Sequence, residues 1–339
     1  MTFLSDPTLS LLWFLAIGLA VALYIILDGA DLGLGILSLL PQKEEHRAVM
    51  MHTLGPIWDA NETWLVIAGG MLFGAFPGAY SIVLSALYIP VMAMIFGLVL
   101  RAASFEFHAL SENKRVWSFF FGFGSILAAI GQGFAVGGVL SGITVADGQF
   151  AGSAFDFLTP LSFLVTVGIL MSYVFVGYAY LIKKTGKETT PGMFARILVT
   201  GAVTGAALLS ATLFLPTKNY VFFTRWTTYP TNYALFAIAG VMAILSLWLI
   251  LLVLKKHAGP MLHNLSMAIF VFAMLGMVVG VFPYIIPPTL TIYDVSASRA
   301  THLFMLVGLG PLIPIVLAYN YYLHRVFRGH TASHEEKYG

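Results

Sequence analysis

Residues 9–27 read LSLLWFLAIGLAVALYIIL, a run with no charged side chain that passes directly into Asp28-Gly29-Ala30-Asp31. An apolar stretch of about 18 residues or more is long enough to span a bilayer as a helix. No Lys or Arg precedes this one and no small-residue cleavage site follows it. It is therefore expected to stay in the protein as a helix rather than to be removed as a signal peptide.

Outward from that run the pattern repeats. With the first extended to 9–32, the further apolar segments are 51–76, 79–100, 116–140, 159–182, 193–215, 232–254, 263–282 and 301–323, which makes about nine. Composition agrees: 59% of the 339 residues are hydrophobic and 9% are charged, against about 25% charged in soluble domains. The loops are short. The expectation is an all-α membrane protein, a single polytopic membrane domain over 1–339, with a short cytoplasmic tail at 324–339. The absence of cysteine excludes disulfides and thiolate chemistry in this chain. A net charge of +2 gives no reason to expect a nucleic-acid partner.

The segment 51–76 is the least typical, because it carries Asp59, Asn61 and Glu62. Charge asymmetry argues for keeping it. Cytoplasmic loops are enriched in Lys and Arg. With the N-terminus outside, the C-terminus cytoplasmic and about nine spans, 14 of the 17 basic residues fall on the inner side; omitting the second segment leaves 12 at best. Gly-x-x-x-Gly spacings at Gly70/Gly74, Gly133/Gly137, Gly201/Gly205 and Gly276/Gly280 are read as ordinary close helix packing.

Charge inside a membrane is costly, about 2.5–3.5 kcal/mol per group on insertion scales, so its placement is informative. Asp28 and Asp31 are spaced to share one face of the first helix, as are Asp59 and Glu62 on the second. Counting a continuous helix from Met51 puts Asp59 about 12 Å and Glu62 about 16 Å below the inner surface. Arg101, at the inner end of the third segment, is the nearest candidate counter-ion. These groups lie in the inner half, which suits uptake of protons from the cytoplasm. Trp58 fits an interfacial belt, whereas Trp64 is too deep for one and is expected to pack against a helix or a subunit.

Haem would need His or Met ligands. The nine histidines stand at segment ends, in loops or in the tail, and the buried methionines have the spacing of core filler. From residues alone the chain reads as a proton-handling or transporting helical bundle without its own catalytic centre. A proton- or cation-coupled secondary transporter and a purely structural membrane scaffold stay open at this point.

Two motifs narrow the choice. Asp28-Gly29-Ala30-Asp31-Leu32-Gly33-Leu34-Gly35 and Gly55-Pro56-Ile57-Trp58-Asp59-Ala60-Asn61-Glu62-Thr63-Trp64-Leu65 together resemble the signature of subunit II of cytochrome bd-type quinol oxidases, the CydB family. Arg101 with Ser104-Phe105-Glu106-Phe107, and Tyr293-Asp294 before the last segment, are similar as well. Ala30 replaces a common Phe, and Glu62 a frequent Gln. The resemblance implies two four-helix bundles plus one peripheral helix. It implies a haem-bearing subunit I as partner, carrying haem b and haem d, with none bound by this chain. It leaves room for a small single-helix accessory subunit and for a structural quinone or lipid. Quinol and oxygen would be the substrates of the complex, in a bacterial cytoplasmic (inner) membrane. Asp59 would be the main proton relay, Asp28 and Asp31 the entry, Arg101 the group that tunes them, and Glu62 an additional relay.

Overall fold

A computed structural model describes residues 6–40, 44–55, 57–186, 192–218, 220–257 and 259–327. In chain order the elements are α1 (Pro7–Ser38), α2 (Glu44–Leu54), α3 (Trp58–Ala75), α4 (Pro77–Ala86), α5 (Tyr88–Leu110), α6 (Lys114–Ser141), β1 (Val145–Ala146), β2 (Gln149–Phe150), α7 (Pro160–Thr185), α8 (Met193–Lys218), α9 (Tyr220–Thr227), α10 (Thr231–Leu254), α11 (Pro260–Val281), β3 (Tyr284–Ile286), β4 (Leu290–Thr291) and α12 (Arg299–Val326). Among the described residues eight helices are long and apolar enough to cross a membrane: α1, α5, α6, α7, α8, α10, α11 and α12. The chain is an all-α, multi-pass membrane protein.

Local sequence explains most of the boundaries. Asp6 accepts a hydrogen bond from the Thr8 amide at 3.0 Å, and Pro7 occupies the first turn of α1, where its missing N–H costs nothing. At the other end of α1, Arg47 Nε donates to the Ser38 carbonyl at 2.8 Å, placing a cation where the helix dipole is negative. Thr159 and Ser162 form a reciprocal capping box at the start of α7. The turn between β1 and β2 is Asp147-Gly148, with φ of 50° and 74°; two positive φ values are what a tight two-residue hairpin turn needs.

Two segments expected to be single helices are divided. The stretch 51–76 is not one helix. It starts with the end of α2, breaks after Leu54 and restarts at Trp58. Gly55 and Pro56 are the sequence cause, since neither favours a helix interior; Pro56 lies outside the described residues. The stretch 79–100 is likewise split at Leu87 into α4 and α5. Pro90 falls in the first turn of α5, the position where proline is tolerated. α5 then runs to Leu110, so Arg101 lies inside the helix and not at its end. At the C-terminus, α12 continues through Val326. The expected tail therefore begins after that residue, and positions 328–339 lie outside the described residues, as do the basic residues Lys43, Lys187, Arg328 and Lys337.

α1 packs against α3, α6 and α7; α5 packs along α6; α7 joins this group to α8 and α11; α10 lies on α11, and α12 on α3. The approach of α1 to α7 is close. A Cβ added at Gly33 would stand 2.0 Å from the Tyr173 carbonyl oxygen, and one at Gly177 would stand 2.7 Å from the Gly33 carbonyl carbon. Small residues at such crossings let backbones approach and gain dispersion contact where water exclusion gives no drive. α5 and α6 meet in the same way, Gly124 opposite Gly97 and next to the Arg101 backbone. Of the repeated spacings, Gly133 and Gly137 are packed onto Thr166 and Ser162 of α7, whereas Gly70 and Gly205 have open space.

Candidate proton-handling site

The tight crossings of α1 with α7 and of α5 with α6 enclose a group of charges. Arg101 and Asp28 are both 0% exposed, and Arg101 Nη2 donates to Asp28 Oδ1 at 2.6 Å. The same Nη2 donates to Glu62 Oε1 of α3, whose side chain is 19% exposed. One turn of α1 beyond Asp28, buried Asp31 accepts a hydrogen bond from Asn61 Nδ2 at 2.8 Å. Asp31 also interacts electrostatically with Asp28, Arg101 and Glu62. Three carboxyl groups thus converge on one guanidinium. With every group ionised the cluster would carry excess negative charge in a medium of low dielectric, which is expensive. It is electroneutral only when two of the three carboxyls hold a proton. Among the described residues, Asp28 Oδ2, Arg101 Nε and Arg101 Nη1 are buried with no hydrogen-bond partner.

A neutral network extends the cluster. Gln132 Nε2 donates to the Tyr24 hydroxyl at 2.5 Å, and the Tyr173 hydroxyl donates to Gln132 Oε1 at 2.6 Å. Tyr24 lies one helical turn before Asp28 on the same face of α1 and interacts with it. On the opposite side, Asn61 Oδ1 faces His324 Nε2 of α12 at 3.2 Å, and Asn320 Nδ2 donates to the Ala60 carbonyl at 3.2 Å. Asn61 stood out in the sequence beside Asp59 and Glu62; Tyr24, Gln132, Tyr173, Asn320 and His324 were not singled out. An uncharged Gln or Tyr within an apolar run gives a weak signal, and the contact between α3 and α12 spans most of the chain.

The structure gathers Asp28, Asp31, Glu62 and Arg101 as expected and sets Asp59 apart. Asp59 occupies the first turn of α3 and is exposed. The depth of about 12 Å counted along a continuous helix does not hold, because the helix restarts at Trp58. An acid in a first turn also has a structural use, since it complements the helix dipole. Asp28 and Asp31 are enclosed, while Asp59 is exposed. Trp58 stacks on Phe105 of α5, ring centroids 5.2 Å apart. Trp64 is 1% exposed and packs in the core between α1 and α3, as its position suggests. Glu106 is exposed.

Histidine placement bears on haem. His302, in the first turn of α12, is buried with Nε2 against the Ala75 carbonyl at 3.1 Å. His263 packs edge-on against Tyr180, ring centroids 5.1 Å apart. Among the described residues no three His, Cys, Asp or Glu side chains converge to hold a metal.

Residues 9–327 match the family model of cytochrome bd terminal oxidase subunit II. Curated relatives include the probable cytochrome oxidase subunit 2 of Haemophilus influenzae, 27% identical over 91% of this chain and 90% of that one. The cytochrome bd-I ubiquinol oxidase subunit 2 of Escherichia coli is 26% identical over 92% of each chain. The cytochrome bd ubiquinol oxidase subunit 2 of Bacillus subtilis is 32% identical over 47% of this chain and 49% of that one. Among solved structures, a chain of the bd oxidase from Geobacillus thermodenitrificans superposes with a TM-score of 0.73 at 19% identity, over 94% of this chain and 98% of that one, and so shares the fold. On the match across nearly its whole length, the chain belongs to the cytochrome bd terminal oxidase subunit II family.

Proposed function

We propose that this chain is the haem-free half of its oxidase and delivers cytoplasmic protons toward the oxygen-reducing site of subunit I. Membership in the family makes it one subunit of a quinol oxidase complex that includes subunit I. Electron transfer and oxygen reduction belong, in this reading, to haem b and haem d of that partner. Quinol and oxygen are the substrates, and a small single-helix subunit can accompany the pair. The membrane is the bacterial cytoplasmic one. The skew of Lys and Arg supports an outer N-terminus and a cytoplasmic C-terminus.

One observation carries the proposal: three carboxyl groups enclosed around a single guanidinium, reached from an exposed acid one turn of helix away. Asp59 collects a proton at the surface. Glu62, partly exposed and bound to Arg101, passes it inward. Asp28 and Asp31 hold protons in the enclosed part, and Arg101 keeps the group near neutrality as each proton comes and goes. Energy is conserved without a pump, because oxygen reduction consumes inner-side protons while quinol oxidation releases protons outside.

Asp59→Asn removes the surface acid and keeps its size. In the purified complex with native haem content, oxygen consumption is expected to fall. Full turnover would remove Asp59 from the path, and loss of haem together with activity would assign it to assembly.

A further inference from the structure

The proposed path ends on one side at Asp31, and the structure links that carboxyl back to the protein surface by a second route. His324, half-buried in the last turn of α12, faces Asn61 Oδ1 through Nε2 at 3.2 Å. Asn61, fully buried, donates from Nδ2 to Asp31 Oδ2 at 2.8 Å. An amide cannot readily pass a proton along itself, so this is not a wire. It has a direction instead, because one end of the amide only donates and the other only accepts.

We propose that Asn61 is a hydrogen-bond polarity switch through which the protonation state of His324 controls whether Asp31 holds a proton. The inference rests on the proton path proposed above and adds a control to it. Two arrangements match the two states of Asp31 best. In the first, Nε2–H of His324 donates to Asn61 Oδ1, and Nδ2–H donates to an Asp31 carboxylate. In the second, the amide is rotated by half a turn. Nδ2–H then donates to the lone pair of Nε2 in the other neutral tautomer, and protonated Asp31 donates its O–H to Oδ1. A doubly protonated imidazole has no lone pair, so it requires Oδ1 of the amide to face His324 and Nδ2–H to face Asp31. That donor binds a carboxylate more strongly than an acid, so a proton arriving at His324 favours departure of the Asp31 proton toward Asp28, Glu62 and Arg101. One proton is gained at the surface and one is released within, and Asn61 never changes its own proton count.

Lys183 and Lys184 of α7 and His263 of α11 face His324 electrostatically, and Arg325 follows it on α12, so a proton on the imidazole is opposed by like charge and is readily passed on. Asn320, one turn back, fixes α12 to α3 through the Ala60 carbonyl. Lys184 holds the end of α12 by donating to the Phe327 carbonyl at 2.5 Å. These bonds fix the end of α12 beside Asn61. His324 and Asn61 act here as positioning residues.

The test uses the assembled oxidase. The protonated-carboxyl band of Asp31, assigned by its loss in Asp31→Asn, is followed by infrared difference spectroscopy against pH, together with the pH profile of oxygen consumption. In the native complex the band is expected to change as His324 titrates. His324→Gln can donate or accept but cannot titrate; it should keep the haem content and abolish that change. His324→Leu frees the amide and should lower turnover about threefold to tenfold, in line with loss of a hydrogen bond of about 1 kcal/mol. An Asp31 band with native pH dependence in His324→Gln would overturn the proposal. Glu62→Gln at full turnover would sink the path itself, yet leave the His324–Asp31 coupling readable in the infrared band, so the two failures are distinct.

Discussion

The helices α1, α3, α5, α6 and α7 and the helices α8, α10 and α11 differ less in overall apolarity than in what their glycines do. In the first group Gly33, Gly97, Gly124 and Gly177 stand where any Cβ would meet backbone within 3.0 Å. In the second, Gly205 and Gly240 have nothing within 4 Å. The first group also encloses Arg101, Asp28 and Asp31, and the interior of α10 carries no charged residue. The lesson is physical. A charge cluster survives in a membrane when backbones close around it tightly enough to exclude lipid and fix every partner. Helices that enclose no charge can stay loosely associated and turn apolar faces outward.

Substitutions can break that contrast in order of severity. Arg101→Met should have the largest effect. It leaves Asp28 enclosed and Glu62 half-enclosed without their cation, and orphaning one side of a buried pair costs about 3–5 kcal/mol. The complex is expected not to accumulate, read as loss of the haem absorbance in membranes. Gly33→Leu should follow, because its side chain must displace the Tyr173 backbone; the yield of complex is expected to drop severalfold. Gly240→Ala sharpens the comparison from the other side. It fills open space and favours the helix by about 1 kcal/mol, so the melting temperature should hold or rise. Gln132→Leu should be the mildest disruption, removing the link between Tyr24 and Tyr173 at about 1–2 kcal/mol. It is expected to lower the melting temperature by a few degrees while leaving the haem spectrum in place.

Much of the site could be read from the sequence, because charge in an apolar run is a strong signal. Asp28, Asp31, Glu62 and Arg101 stood out and do meet. Depth, however, was counted along one continuous helix, which Gly55 and Pro56 interrupt. Both residues were in plain view, and a run of apolar residues on either side masked their effect. The split at Leu87 had a similar local signal in Pro90, which fits the first turn of α5 but not the interior of a continuous helix. The Tyr24–Gln132–Tyr173 network and the Asn61–His324 contact were not legible, because they join elements far apart in the chain and involve residues that are unremarkable alone. The hairpin at Asp147-Gly148 had its signal in the dipeptide, overshadowed by the helices around it.

The enclosed carboxyls are held to handle the protons of oxygen reduction, and Glu62→Gln tests this most directly, since it keeps an acceptor for Arg101 and removes only the titratable proton. A detergent-purified complex with native haem content, fully reduced and mixed with oxygen in weakly buffered medium containing a pH dye, reports proton uptake alongside oxygen consumption. Proton handling by this cluster predicts that both slow at least about tenfold while the haems still accept electrons from quinol. Uptake and consumption at native rates would contradict it.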